Sequence, residues 1–314
     1  MSALPLADGI RLGFIGSVSG PEAARGTARQ AEQWGYDSIF VGDHVAFAVP
    51  ILDPLLQLAQ LACFTDTLSL GTSVYLLPLR HPVPVAKQVA TLDRACGGRL
   101  LFGVGVGGEF PDEYAACGVP VGERGARLTE GLEVLRKLWR GTPVAHEGRF
   151  FPFPETQMLP PPVSPGGPPI WAGGRSEAAL RRIGRLCDGW ISYVVTPEQY
   201  AEGLAKIAKT AEAAGRTIER FDTAHLLFAY LDDSYDAAWD AATEHLSQRY
   251  AMDFRRAAQR YAALGRPEDV AERVQAYLDA GLRHIVLDVV GPAGAGAEQR
   301  ERFAREVRPL LRVP

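Results

Sequence analysis

Sulfur is scarce in this sequence, with four cysteines and three methionines among 314 residues. Cys63, Cys96, Cys117 and Cys187 lie far apart, with no C-x-x-C spacing and no histidine pair beside them. Neither a disulfide framework nor a zinc site is therefore expected, and a cytoplasmic setting is. One-sided charge is missing as well: 33 basic residues meet 37 acidic ones, for a net −4. A dedicated nucleic-acid or anionic-membrane binder needs a basic face, so no nucleic acid and no membrane is expected among the partners. No run approaches the roughly 20 apolar residues that a membrane-spanning helix needs. The first residues lack the basic stretch and apolar core of a signal peptide. The six histidines never fall as H-x-x-x-H, and G-x-S-x-G is absent, which removes a metal-binding helix and a nucleophile elbow.

What is present is a large potential core, 47% hydrophobic against 22% charged. Apolar, β-rich runs occur at 11–18, 37–41, 68–77, 99–106, 169–172, 189–195, 223–231 and 282–290, with helical patterns between them. In 125–140, for example, Leu128, Leu132, Leu135 and Trp139 share one helical face. Eight β/α alternations with nearly continuous apolar strands predict parallel strands buried on both sides, closed as a (β/α)8 barrel or opened as a doubly wound sheet. Closure is the simpler count, so the expected fold is α/β, a barrel with inserted segments in one domain over 1–314. Two stretches exceed the repeat: the Pro-, Phe- and Gly-rich 142–168, before the fifth strand, and 234–281, which holds more helix than one unit requires.

In a barrel, chemistry belongs to the loops after the strands. The second run ends in Gly42-Asp43-His44, an acid and an imidazole, and a carboxylate there can orient the ring. The fourth leads through Gly103, Gly105, Gly107 and Gly108 to Glu109, with Glu113 one helical turn on; both acids also suit a solvated loop. The fifth leads into Gly173-Gly174-Arg175-Ser176 directly before a helix, which offers N–H groups, a hydroxyl and a cation to an anion such as phosphate. Gly103, Gly105 and Gly108 formally match G-x-G-x-x-G. The next residues, Glu109-Phe110-Pro111, do not open a helix as a dinucleotide fingerprint requires, so a Rossmann reading is disfavoured.

Residues 71–139, GTSVYLLPLRHPVPVAKQVATLDRACGGRLLFGVGVGGEFPDEYAACGVPVGERGARLTEGLEVLRKLW, closely resemble the bacterial luciferase-like family of flavin- and deazaflavin (F420)-dependent oxidoreductases. Asp43-His44 before this block, and 169–174 through 188–190 after it, are similar to further family blocks in the same order. The resemblance implies a (β/α)8 barrel, commonly a homodimer, with a flavin-type ring at the C-terminal ends of the strands. Ser73-Val74 matches a position where relatives hold a non-proline cis peptide behind the ring. Gly173, Gly174, Arg175 and Ser176 match a phosphate-binding turn, and Tyr193 is similar in position to a second contact. Asp43 and His44 match a pair near the reactive edge, with Asp43 counted among the cofactor-binding residues. Glu109 resembles an acid found there in some deazaflavin-dependent dehydrogenases, though it is displaced by one residue. His44 and Glu109 are then the expected catalytic residues, with Phe47 and Phe110 in the substrate pocket. Gly108 and Ala48 stand where relatives carry tryptophan, which enlarges or reshapes the substrate side, so no particular substrate is inherited.

Two chemistries fit this scaffold. Coenzyme F420 would exchange a hydride with a small organic substrate while His44, oriented by Asp43, moves a proton and Glu109 assists. Alternatively, reduced FMN, supplied by a separate flavin reductase, would oxygenate the substrate. A non-catalytic barrel subunit is the third reading, disfavoured by the retained Asp43, His44, Glu109 and glycine turns.

Overall fold

The computed structural model describes residues 4–108 and 110–313. Eight parallel strands close into a barrel: β1 (Arg11–Ile15), β2 (Ser38–Val41), β3 (Ser69–Thr72), β4 (Leu100–Val104), and, beyond an excursion described below, β7 (Ile170–Gly173), β8 (Gly189–Tyr193), β9 (Asp222–Leu231) and β11 (His284–Val289). Each pairs with the next in that order, and β11 pairs back onto β1, with Leu12 opposite Ile285 and Phe14 opposite Leu287. Each of the eight expected runs overlaps one barrel strand. Their apolar character follows from burial on both faces, by helices outside and by the packed barrel interior within.

Several expected strands stop short, two of them at the mouth. The run 68–77 leaves the sheet after Thr72, where the Ser73-Val74 peptide is cis. The run 99–106 ends as β4 at Val104, in the first of the glycine pairs. Both excursions contain short strands that periodicity did not reveal, and the second also holds the extra helix expected of it. Residues 142–168 hold an antiparallel pair, β5 (Val144–His146) and β6 (Phe153–Thr156). It is clasped to the barrel by Glu130, which accepts the Phe150 and Phe151 N–H groups, and by buried Asp93, which accepts those of Val163 and Ser164. Residues 234–281 hold helices Tyr235–Tyr250, Arg255–Tyr261 and Pro267–Asp279, with β10 (Ala263–Gly265) pairing beside the end of β9.

Side-chain alternation sorts the interior into layers. Phe40, Leu101, Trp171, Ile191, Ala224 and Val286 fill the middle. Below them His284 bonds Ser38 Oγ at 2.7 Å, edge-on to both Phe40 and Trp171. Two residues further along each strand, the same alternation brings Gly42, Gly103, Gly173, Tyr193, Leu226 and Asp288 to the C-terminal mouth. Half of that rim has no side chain.

His284 and, on the outer face of β9, His225 are both buried, and burial pushes each imidazole down to about 3. Their folded values lie below the ordinary 6.5, so below that pH the unfolded chain binds protons that the folded chain refuses. Stability is therefore full above about pH 6.5 and falls as the pH drops from there toward 3, by about 1.4 kcal/mol per pH unit for each histidine. In His284→Gln, urea unfolding between pH 6 and 4 should show a shallower pH dependence than wild type, with about one proton fewer taken up on unfolding.

Candidate active site

The end of β2 is held by charge. Asp43 is 3% exposed, and its carboxylate receives both terminal nitrogens of Arg80, one at 2.8 Å, together with the Leu76 N–H at 2.8 Å. The Arg80 guanidinium lies 4.4 Å over the Tyr75 ring. This fork ties the β2 end to the segment after β3, just beyond Ser73-Val74.

It also corrects the expected pairing of Asp43 with its neighbour. The His44 Nδ1 lies 3.1 and 3.2 Å from the two carboxylate oxygens of Glu113, on the short helix Pro111–Ala116. Glu113 is no solvated loop acid. It is 1% exposed and accepts the Val45 N–H and, at 3.2 Å, the Ala46 N–H. Pro111 at the start of the helix and the Tyr114 hydroxyl, which donates to the Val106 carbonyl, fix the turn that carries Glu113. With Nδ1–H committed to a carboxylate, the free nitrogen of His44 is Nε2. The imidazole stacks on Phe47 at 4.0 Å and 14°, and Phe110 meets both rings edge-on. Phe47 and Phe110 thus form an apolar wall beside His44. Glu109 lies outside the described residues.

Ser73 and Val74 sit across the mouth, where the glycines have a specific purpose. A Cβ on Gly105 would come within 2.3 Å of Val74 Cγ2, and one on Gly103 within 1.9 Å of the Thr72 carbonyl oxygen. A Cβ on Gly173 would lie 3.4 Å from Val74 Cγ1. The G-x-G run therefore seats the bulge at Val74 against the barrel and leaves a smooth floor above it. Gly108, at φ +102°, is covered by Arg124: a Cβ there would lie 2.9 Å from its Nε. A cation thus covers the position where a side chain would stand.

The turn after β7 is a strand-to-helix anion cradle in form. Ser176 caps helix Glu177–Leu186 by accepting the Ala179 N–H, and Gly174 has φ +117°, with Ala179 Cβ 2.7 Å from any added Cβ. Exposed Arg175 reaches the Val194 carbonyl and lies 5.6 Å from the Tyr193 ring. Val194 has φ +52°, rare for a β-branched residue, so Tyr193 and Arg175 meet at a strained corner. The structure brings together Asp43, His44, Phe47, Ser73, Val74 and Phe110 on one side of the mouth, and Gly173, Gly174, Arg175, Ser176 and Tyr193 on the adjacent side. Glu113 stood out in the sequence only as an acid that also suits a solvated loop, and Arg80 not at all, because both act across barrel loops rather than along the chain. The single local signal was Pro111, which places Glu113 in a first helical turn. Among the described residues no group of three or more His, Cys, Asp or Glu side chains forms a metal site, and no helix is long and apolar enough to cross a membrane.

A family model described as luciferase-like monooxygenase matches residues 11–284. The chain belongs to that family. Within it, an F420-dependent glucose-6-phosphate dehydrogenase from Kribbella flavida is 30% identical, over 96% of this chain and 98% of its own. An uncharacterized protein of Mycobacterium tuberculosis is 32% identical, over 60% of this chain and 72% of its own. Among solved structures, a monooxygenase from Streptomyces bottropensis superposes with a TM-score of 0.81 at 25% identity, covering 96% of this chain and 99% of that one. An F420-dependent secondary alcohol dehydrogenase, in complex with an F420-acetone adduct, superposes at 0.84 with 20% identity, covering 97% and 99%. At that identity it shows the shared luciferase-like fold.

Replacing Arg80 by Met would leave the Asp43 carboxylate buried without its counter-charge. Urea denaturation should then show a loss of about 3 kcal/mol or more, with an unchanged m-value.

Proposed function

We propose that this chain is a cytoplasmic, F420-dependent oxidoreductase that exchanges a hydride with a small organic substrate, with His44 handling the accompanying proton. The observation that carries this reading is the imidazole at the end of β2, whose Nδ1 is committed to buried Glu113. Such a ring has one nitrogen left to give or take a proton, and its partner keeps it from rotating. The relatives named as F420-dependent, similar over nearly the whole chain, support the deazaflavin in preference to FMN.

The residues fit a flat, phosphate-bearing cofactor. Val74, backed by Gly103, Gly105 and Gly173, would form the floor beneath a ring, and Gly174, Arg175 and Ser176 would meet its phosphate, with Tyr193 beside them. When bound, the deazaflavin supplies the hydride-exchanging centre. Asp43 contributes through Arg80 by fixing the β2 end and the Val74 segment, while Phe47 and Phe110 pack against the His44 ring. Glu109 is the proposed second acid. Homodimer formation is part of the proposal, supported by the exposed apolar side chains of Val45, Val49, Leu52 and Leu56 around the loop after β2.

The second reading, an FMNH2-dependent monooxygenase served by a separate reductase, is favoured by the similarity to the Streptomyces bottropensis monooxygenase. Titration of the purified protein with F420, FMN and their reduced forms, under nitrogen and under air, separates the two. Binding of F420 with oxygen-independent turnover is expected; binding of FMNH2 alone, with turnover only in air, would favour the oxygenase. Arg175→Ala should weaken cofactor binding with little change in saturated turnover. His44→Ala should cost about two orders of magnitude in turnover with affinity retained.

A further inference from the structure

Across the mouth from the glycine floor lies a charged cluster that the reaction above does not use. Asp288 stands two residues beyond Val286 on β11, so its carboxylate rises from the packed interior into the mouth layer, where it is 6% exposed. The excursion 234–281 delivers a cation to it. Arg249, in the last turn of helix Tyr235–Tyr250, places Nη1 2.6 Å from Asp288 Oδ2 and Nη2 3.2 Å from Oδ1. The Arg249 Nη2 also lies 2.8 Å from His245 Nε2, and His245 Nδ1 lies 2.6 Å from the Gly291 carbonyl. Since Nδ1–H must donate to that carbonyl, Nε2 is the acceptor for Arg249. Burial and the neighbouring guanidinium lower the His245 imidazole, in keeping with this neutral form.

A guanidinium in the mouth of a barrel is a ready anchor for a phosphate or carboxylate on a substrate, because its planar fork matches either group. Here the fork is already filled by a carboxylate of the protein. An incoming anion would have to displace Asp288 or lie beside it against like charge. Beside Asp288 the mouth layer holds Tyr193 and Leu226, and Phe47 and Phe110 flank His44, all four uncharged; the exposed cation of Arg175 lies at the turn assigned above to the cofactor phosphate.

We propose that Asp288, by occupying Arg249, makes this pocket select uncharged organic substrates, such as alcohols and their carbonyl counterparts, and exclude phosphorylated or carboxylated ones. This specificity rests on the reading of the mouth as a substrate site, and its test does not require cofactor chemistry. Calorimetric titration with glucose 6-phosphate should be run on wild type, Asp288→Asn and Asp288→Ser, each with and without F420. The comparison between variants cancels any binding at the 173–176 turn. Either folded variant should gain at least tenfold in affinity, and Arg249→Gln added to it should remove the gain. No gain in a folded variant would overturn the proposal, as would wild type binding the sugar phosphate as tightly as the variants. A second measurement needs no substitution: wild type should bind benzyl alcohol in preference to benzoate, and a tenfold preference for benzoate would overturn it. A failure of the F420 reading shows separately, as absence of F420 binding in wild type.

Discussion

One buried carboxylate organises the reactive side of this barrel. Glu113 accepts hydrogen bonds from the His44 ring and from the Val45 and Ala46 backbone, three donors from a single loop, while itself sitting on the segment after β4. A carboxylate taken out of water is tolerated only when such donors satisfy it, so the two loops are held in one arrangement. The imidazole orientation, the stack on Phe47 and the packing of Phe110 all follow from that contact. Asp43 performs the equivalent task beside it, through Arg80 and Leu76, and so aligns the Val74 segment with the same loop.

The mouth is asymmetric for a physical reason. On one side Gly42, Gly103, Gly105 and Gly173 carry no side chain, and at Gly103 and Gly105 the Thr72 carbonyl and Val74 leave no room for a Cβ. On the other side Tyr193, Leu226 and Asp288 stand upright. A flat ring can lie against the first half, while the second half, walled by the helix that carries Arg249, is free to discriminate substrates. Of the residues beyond a minimal barrel, 234–281 delivers Arg249 to Asp288 at the mouth, whereas 142–168 is clasped to the outer helices through Glu130 and Asp93.

The barrel was legible in the sequence because strands buried on both faces must be apolar almost throughout, and eight such runs alternate with helical ones. β5, β6 and β10 were not, since they are three or four residues long and their pattern is set by tertiary contacts. Asp43, His44 and the glycine turns could be found because they lie at strand ends. Their partners could not. Adjacency suggested Asp43 for His44, but Asp43 is drawn inward to Arg80, and the true partner lies 69 residues away on another loop. The same limit hid the pairing of Arg249 with Asp288, 39 residues apart, where neither residue has a local motif.

The central claim is that Glu113, and not Asp43, holds His44 through Nδ1–H and leaves Nε2 for the proton. Nitrogen-15-edited NMR of the histidine rings at neutral pH tests it most directly, with His44→Ala used to assign the signals. The account predicts an Nδ1-protonated His44 with an exchange-protected, hydrogen-bonded Nδ1–H that persists in wild type without cofactor. A neutral His44 protonated on Nε2, with Nδ1 bare, would contradict it.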